Sequence, residues 1–309
     1  MGLAEVVPGV SGGTIAFITG IYERLIGVVN KLRPGLIKTL RNQGLSGVSK
    51  ELDGFFLVWL LAGMATGVIS GVFSLTWVLD NYPQLLWSFF FGLIISSSYF
   101  IGKQIKRWDI IRGLFMFIGI LIAYQIAISI PVQSSPTFFY LLFCGAIAIS
   151  ALILPGISGS FILLILGMYT VVIPAIKELI KDPINGPWLI VIPFGIGCVI
   201  GLISVARLLS WTFKKYHDQT LALLTGFMIG SLQKLWPWRN VSLWINKRDN
   251  LTTATIPTSD LDHWVPLSET NVLPVDYAGD PMLIPVIVCF IAGIAILIFM
   301  EKRMIEEEV

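Results

Sequence analysis

Six stretches of this chain are apolar over the length that a bilayer core demands of a helix, about 20 residues. They run from Gly54 to Leu79, Leu85 to Gly102, Ile110 to Ile130, Trp188 to Leu209, Gln219 to Leu235 and Met282 to Met300. Lipid cannot bond an open backbone, so stretches of this length and apolarity read as helices. Composition agrees: 55% of the 309 residues are apolar and 13% charged, where a soluble domain carries about 25% charged. The apolar excess is spread over nearly the whole chain, so one polytopic domain over residues 1–309 is expected. A net charge of +2 supplies no basic field, which excludes nucleic acid as a partner. Cys144, Cys198 and Cys289 lie in apolar runs with no CxxC or nearby histidine, so neither a disulfide framework nor a metal site is expected. Nothing in the sequence calls for a cofactor.

Two further apolar regions, Gly2 to Tyr22 and Thr137 to Ala175, are each interrupted by a Pro-Gly kernel. The first kernel is PGVSGG, Pro8 to Gly13; the second is PGISGS, Pro155 to Ser160. Proline removes a backbone donor and glycine destabilises a helix, so a continuous helix through either kernel is not expected. The amino terminus lacks a basic n-region and carries Glu5 within its apolar run, which is not the pattern of a signal peptide.

Basic residues orient the spans, since short loops rich in Lys and Arg stay cytoplasmic. The segments Glu23 to Asp53 and Lys103 to Arg112 are rich in both, whereas Asp80 to Gln84 and Pro131 to Pro136 contain neither. Lys214, Lys215, Lys302 and Arg303 fall inside only if Thr137 to Ala175 enters and returns to one face as a hairpin. Both termini are then cytoplasmic, and the polar insertion 237–281 lies outside.

The chain also repeats itself. Pro8 to Tyr22 aligns with Pro155 to Tyr169 at an offset of 147, with eight of fifteen positions identical. A second register, offset 134, pairs Gly63 with Gly197, Gly67 with Gly201 and Trp77 with Trp211. Repeat one covers about 1–130 and repeat two about 137–300. Three spans separate the kernels, and an odd number inverts topology, so the expected fold is all-α, an inverted repeat in which each half is a broken helical hairpin plus three transmembrane helices. Such repeats place substrate near the midplane at interrupted helices. The glycines at 63, 67, 197 and 201 read more simply, as small residues that let helices approach. One departure from symmetry stands out. The second kernel has an apolar lead-in, Thr137 to Leu154, and the first has only the residues from Met1, so either the chain continues upstream or the first hairpin lacks that arm.

Each kernel leads into a helix-forming run, and a helix amino terminus with free N–H groups suits an anion, phosphate above all. Pro8, Gly9, Gly12, Gly13, Pro155, Gly156 and Gly159 shape the turn; Ser11, Thr14, Ser158 and Ser160 add hydroxyl donors. Arg207 sits deep in an apolar run, its repeat partner being Phe73, and an intramembrane charge is a functional candidate. The alternative for Arg207 is snorkelling to the interface. Glu5 is a candidate proton-coupling group or a cap on the hairpin mouth. Arg24 and Lys234, at span ends, read as interfacial anchors, and the tryptophans near span ends, Trp77, Trp87, Trp108, Trp188, Trp211, Trp236 and Trp238, read as an aromatic belt. Both kernels also match the GxSG pattern of intramembrane serine proteases, with Ser11 or Ser158 as nucleophile. That chemistry needs an embedded histidine base, and the two histidines, His217 and His263, lie in polar segments. No catalytic residue is therefore assigned.

The opening MGLAEVVPGVSGGTIAFITGIYERL, the second LPGISGSFILLILGMY and the run RLLSWTFKKYHDQTLALLTGFMIGSLQKLWPW resemble the bacterial polyprenyl-phosphate (undecaprenyl-phosphate) transporter family, PopT-like, long listed as a domain of unknown function. The resemblance spans nearly the whole chain except Arg239 to Asp280. It implies a multi-pass protein of the bacterial cytoplasmic membrane that recycles a polyprenyl-phosphate carrier lipid of envelope glycan synthesis, with membrane lipids around it and a homo-oligomer left open. An intramembrane hydrolase and a small-anion carrier are the alternatives.

Overall fold

The computed structural model describes residues 1–6, 11–33, 35–129, 134–246, 252–253 and 264–307. Thirteen α-helices are described. The first half holds α1 (Gly2–Val6), α2 (Gly12–Ile18), α3 (Tyr22–Asn30), α4 (Gly35–Glu51), α5 (Gly54–Asn81), α6 (Pro83–Gln104) and α7 (Ile110–Ile128). The second holds α8 (Phe138–Ile153), α9 (Gly159–Ile165), α10 (Tyr169–Lys181), α11 (Trp188–Lys215), α12 (His217–Ser231) and α13 (Leu283–Glu307). Five helices, α5, α6, α7, α11 and α13, are long and apolar enough to cross a membrane. The remaining expected span is α12, fifteen residues prolonged by a 3-10 turn, Leu232–Leu235.

The helices are interrupted at the kernels, α1 ending at Val6 before α2 starts at Gly12 and α8 ending at Ile153 before α9 starts at Gly159, and a second break follows each kernel. The pairs α2–α3 and α9–α10 each bend by 118°. Each bend holds a glycine in the left-handed region, Gly20 and Gly167, both at φ +71°, and these two are 147 positions apart. An L side chain there would be strained, which explains why both copies carry glycine.

Packing follows the same duplication. α1 lies on α5 as α8 lies on α11, and α6 pairs with α13 as α12 pairs with α7. The second pair of contacts is reciprocal: a helix from each half meets the last span of the other. Small residues mediate the approach, as expected. A Cβ on Gly67 would come 2.9 Å from the Leu3 nitrogen, and Cβ atoms on Gly197 and Gly201 would run into the Leu142 and Ala146 carbonyls. Gly63 differs, having nothing within 4 Å. The short α1 meets α5 at Met64, Gly67 and Gly71, while the longer α8 also covers Gly197.

One region departs from all-α. Within the polar insertion, β1 (Arg239–Asn246), β2 (Thr252–Thr253) and β3 (Trp264–Asn271) form an antiparallel sheet of order β2-β1-β3. Its β-branched and aromatic residues, Val241, Trp244 and Ile245 among them, favour strand. The sheet is stapled to the helix ends: Asn271 Nδ2 donates to Gln233 O at 2.8 Å, Trp236 Nε1 to Val272 O at 2.8 Å and Trp238 Nε1 to Pro281 O at 2.8 Å. Three tryptophans expected in the belt are therefore structural. Trp87 and Trp238 are buried, and the Arg239 guanidinium stacks 4.5 Å from the Trp87 ring while pairing with Glu269 at 2.8 Å. Burial pulls the Arg239 pKa down, opposed by Glu269. Trp77, Trp108, Trp188 and Trp211 are exposed, as a belt requires.

Candidate functional site

The kernels touch each other across the two halves. Ser11 caps α2, accepting from Gly13 N at 3.1 Å, and donates its own proton to Leu152 O, the carbonyl before kernel two, at 3.0 Å. Thr14 Oγ1 accepts from Gly156 N at 2.8 Å. A Cβ on Gly13 would strike the Ile153 carbonyl. Ser11 and Thr14 are almost wholly buried. Neither hydroxyl is idle, because each ties one half to the other. Pro8 and Gly9 lie outside the described residues.

Kernel one is also closed on itself. Glu5 Oε1 accepts from Gly12 N at 2.7 Å, so a carboxylate of the chain stands where a bound anion would sit. The repeat position of Glu5 is Leu152 (5 + 147), an apolar residue that offers kernel two no such plug.

Kernel two is built differently. Gly156 takes φ +83°, and a Cβ there would be 2.7 Å from Phe227 O, so position and conformation both demand glycine. Pro155, Ser158 and Gly159 are buried and Ser160 is exposed. The Ser158 and Ser160 hydroxyls bond each other at 2.9 Å, and Ser158 makes no side-chain cap. Beside them lies a cavity of about 20 Å³, lined by Gly156, Ser158, Phe161, Ser231 and Lys234 among others. Lys234 Nζ sits 4.6 Å from the Phe161 ring centroid. Sequence alone made Lys234 an interfacial anchor; the structure brings it to kernel two through the packing of α12 on α7.

On its other side kernel two adjoins an apolar groove of about 610 Å³, reaching from Leu154 and Phe227 along α7, α11 and α12 to Tyr216. Among the described residues no charged side chain lines it. Arg207 is exposed on α11, next to the fully buried Ala206. Among the described residues no hydrogen bond or ion pair joins Arg207 to either kernel. His217 is set between Glu23, 3.6 Å away, and Asp218, 3.5 Å away, at the end of the molecule opposite the sheet. Neither kernel serine has a described histidine as partner, and Ser11 already donates its proton to a carbonyl. Among the described residues no cluster of three or more metal-ligating side chains occurs.

Two broken helices, one from each half of a multi-pass helical bundle, meeting backbone to hydroxyl at the centre, define a membrane transporter of the repeat-built kind. The chain belongs to the VCA0040-like family, described as undecaprenyl phosphate translocase-like, which it matches over residues 1–253. It is 40% identical over 306 residues to the polyprenyl-phosphate transporter of Vibrio cholerae, covering 98% of this chain and 93% of that protein. It is 30% identical over 273 residues to the polyprenyl-phosphate transporter of Staphylococcus aureus, covering 79% of this chain and 86% of that one. No solved structure matches. The family is one of transporters, not of enzymes, and the serine-hydrolase alternative falls with it.

Proposed function

We propose that this protein carries a polyprenyl phosphate, undecaprenyl phosphate above all, between the leaflets of a bacterial cytoplasmic membrane. The head group is handled at the paired kernels while the prenyl tail stays among apolar side chains and lipid. The observation that carries this reading is that the apolar groove starts at Leu154, the residue before kernel two. A small-anion carrier needs the polar kernels but has no use for an uncharged groove of about 610 Å³ beside them. Glu5, plugging kernel one, is the group whose protonation would remove the negative charge held against Gly12 N, which makes it the candidate for proton coupling. Arg207, on the exposed side of α11, would meet a phosphate on its approach, with Arg207→Lys separating a two-point guanidinium contact from plain anchoring.

In this reading both termini are cytoplasmic and the sheet is outside. Single cysteines at Gln43 and Thr270 label from opposite sides of the membrane, and labelling of both from one side would contradict it. The function is tested in liposomes by following leaflet exchange of a labelled polyprenyl phosphate. Exchange faster than in protein-free liposomes, with inorganic phosphate not transported, is the expected result. Transport of inorganic phosphate without lipid exchange would favour the small-anion carrier.

A further inference from the structure

The two copies of the kernel carry opposite charges, and only one of those charges is balanced. In kernel one the Glu5 carboxylate is bonded to Gly12 N at 2.7 Å. In kernel two the charge is Lys234, half-buried against Phe161 in the cavity with Ser158. Among the described residues Lys234 makes no ion pair and no hydrogen bond. The acid near enough to be felt by it, Glu269, is already engaged by Arg239 at 2.8 Å. The face of a ring attracts an ammonium but cannot neutralise it, so this corner of the protein keeps an uncompensated positive charge beside the Ser158 hydroxyl, which is bonded to that of Ser160. A desolvated lone cation is costly to keep, and a ligand that arrives with the opposite charge removes the cost.

We propose that Lys234 is the countercharge for the phosphate head group, which it binds together with the Ser158 and Ser160 hydroxyls at kernel two. This rests on the transport reading above and assigns the charge-pairing role to a residue other than Arg207. An ammonium is a point charge with three donors that can follow a moving phosphate, whereas a guanidinium holds it in a fixed two-point geometry. A carrier gains from the former, since its ligand must leave. The cavity beside Lys234, about 20 Å³, has room for a water and not for a phosphate, so on this reading the site is closed here. The head group is admitted when α9 and α12 separate, a motion of the kind that rocking of one repeat against the other provides. The neighbouring repeat then explains the direction of preference: an anion is drawn to the half with Lys234 and repelled from the half with ionised Glu5.

The test needs no variant in its first arm. Purified protein in detergent is treated with an amine-acylating reagent, and modification of Lys234 is followed by peptide mass spectrometry with polyprenyl phosphate or with the uncharged polyprenol. Polyprenyl phosphate should protect Lys234 and polyprenol should not; equal modification with both lipids overturns the proposal. In the second arm, Lys234→Gln is compared with the parent in the liposome assay. Half-saturation for polyprenyl phosphate should rise about tenfold or more, as expected from losing a charge-assisted hydrogen bond. Lys234→Arg should recover part of that loss, and the melting temperature in detergent should change little. A parent that exchanges polyprenyl phosphate while Lys234→Gln does so with unaltered half-saturation removes Lys234 from the site and leaves the transport reading standing. A parent that exchanges none overturns the transport reading and the role of Lys234 with it.

Discussion

The two kernels share a sequence pattern and a bend, and they are not chemically equal. In the first, the hydroxyls of Ser11 and Thr14 are spent on the other half of the molecule and the Gly12 amide is capped by Glu5. In the second, the hydroxyls of Ser158 and Ser160 bond each other, and a cation, Lys234, lines the same cavity as Ser158. Duplication fixed the backbone, and divergence at a few side chains then divided the labour. In the reading proposed above, kernel one is the half that holds the centre together, and kernel two is the half that binds. A symmetric pair of anion sites would give no preference for either side. In the proposed reading, the unequal pair gives a carrier with one capture site.

The largest expected effect comes from breaking the seam that both kernels share. Gly156→Ala forces a left-handed alanine, about 1–2 kcal/mol, and sets a Cβ 2.7 Å from Phe227 O. Its melting temperature in detergent should fall well below the parent's. Gly113→Ala, at a helix position with nothing within 4 Å of the new Cβ, should leave stability equal or raise it by about 0.5–1 kcal/mol. If both variants melt alike, the seam is not where the fold is held.

Next come the serines, which sharpen the division of labour. Ser11→Ala loses a helix cap and a link to Leu152 and should cost about 1–2 kcal/mol of stability. Ser158→Ala should cost little stability and instead raise the half-saturation for polyprenyl phosphate about tenfold, the loss of one hydrogen bond to a charged group. Thermal unfolding and liposome exchange on the same two preparations separate the effects, and reversed outcomes would exchange the roles given to the kernels. A subtler change is expected from Glu5→Gln, whose amide oxygen can still accept from Gly12 N while carrying no charge. The variant should keep its fold and exchange lipid at a rate that no longer varies with pH over the acid range where the parent's does. A pH profile unchanged from the parent would make Glu5 a cap alone. The smallest effect is expected from Arg207→Lys, because the exposed Arg207 has no described contact with either kernel.

Much of this architecture is legible in the sequence, because it follows from local rules. Span length, the Pro-Gly interruptions and the 147-residue offset from Pro8 to Pro155 are properties of neighbouring residues or of a simple copy. The site is less legible, because its parts come from helices whose meeting is set by packing. Lys234 looks like any span-end lysine until α12 is laid against α7 and its end reaches Phe161. Ser11 and Thr14 look like ligand donors, since nothing in the spacing says that the Leu152 carbonyl and Gly156 amide will reach them first. Arg207 drew notice as a charge inside an apolar run, a signal that cannot tell which side of a helix will face the centre. The sheet over 239–271 was hidden by its polarity, which marks a segment outside the bilayer but leaves its fold open. The leucine at the repeat position of Glu5, by contrast, follows from extending the 147-residue offset three residues upstream of Pro8.

The central claim, that kernel two receives the head group while the groove beside it takes the tail, is tested most directly by photolabelling. A polyprenyl phosphate with a diazirine in its first isoprene unit, irradiated with the reconstituted protein, should leave adducts that map to Phe161 and its neighbours in kernel two and to Leu154 and Phe227 at the mouth of the groove. Adducts confined to α4 or to the exposed face of α5, unchanged by competing unlabelled polyprenyl phosphate, would contradict it.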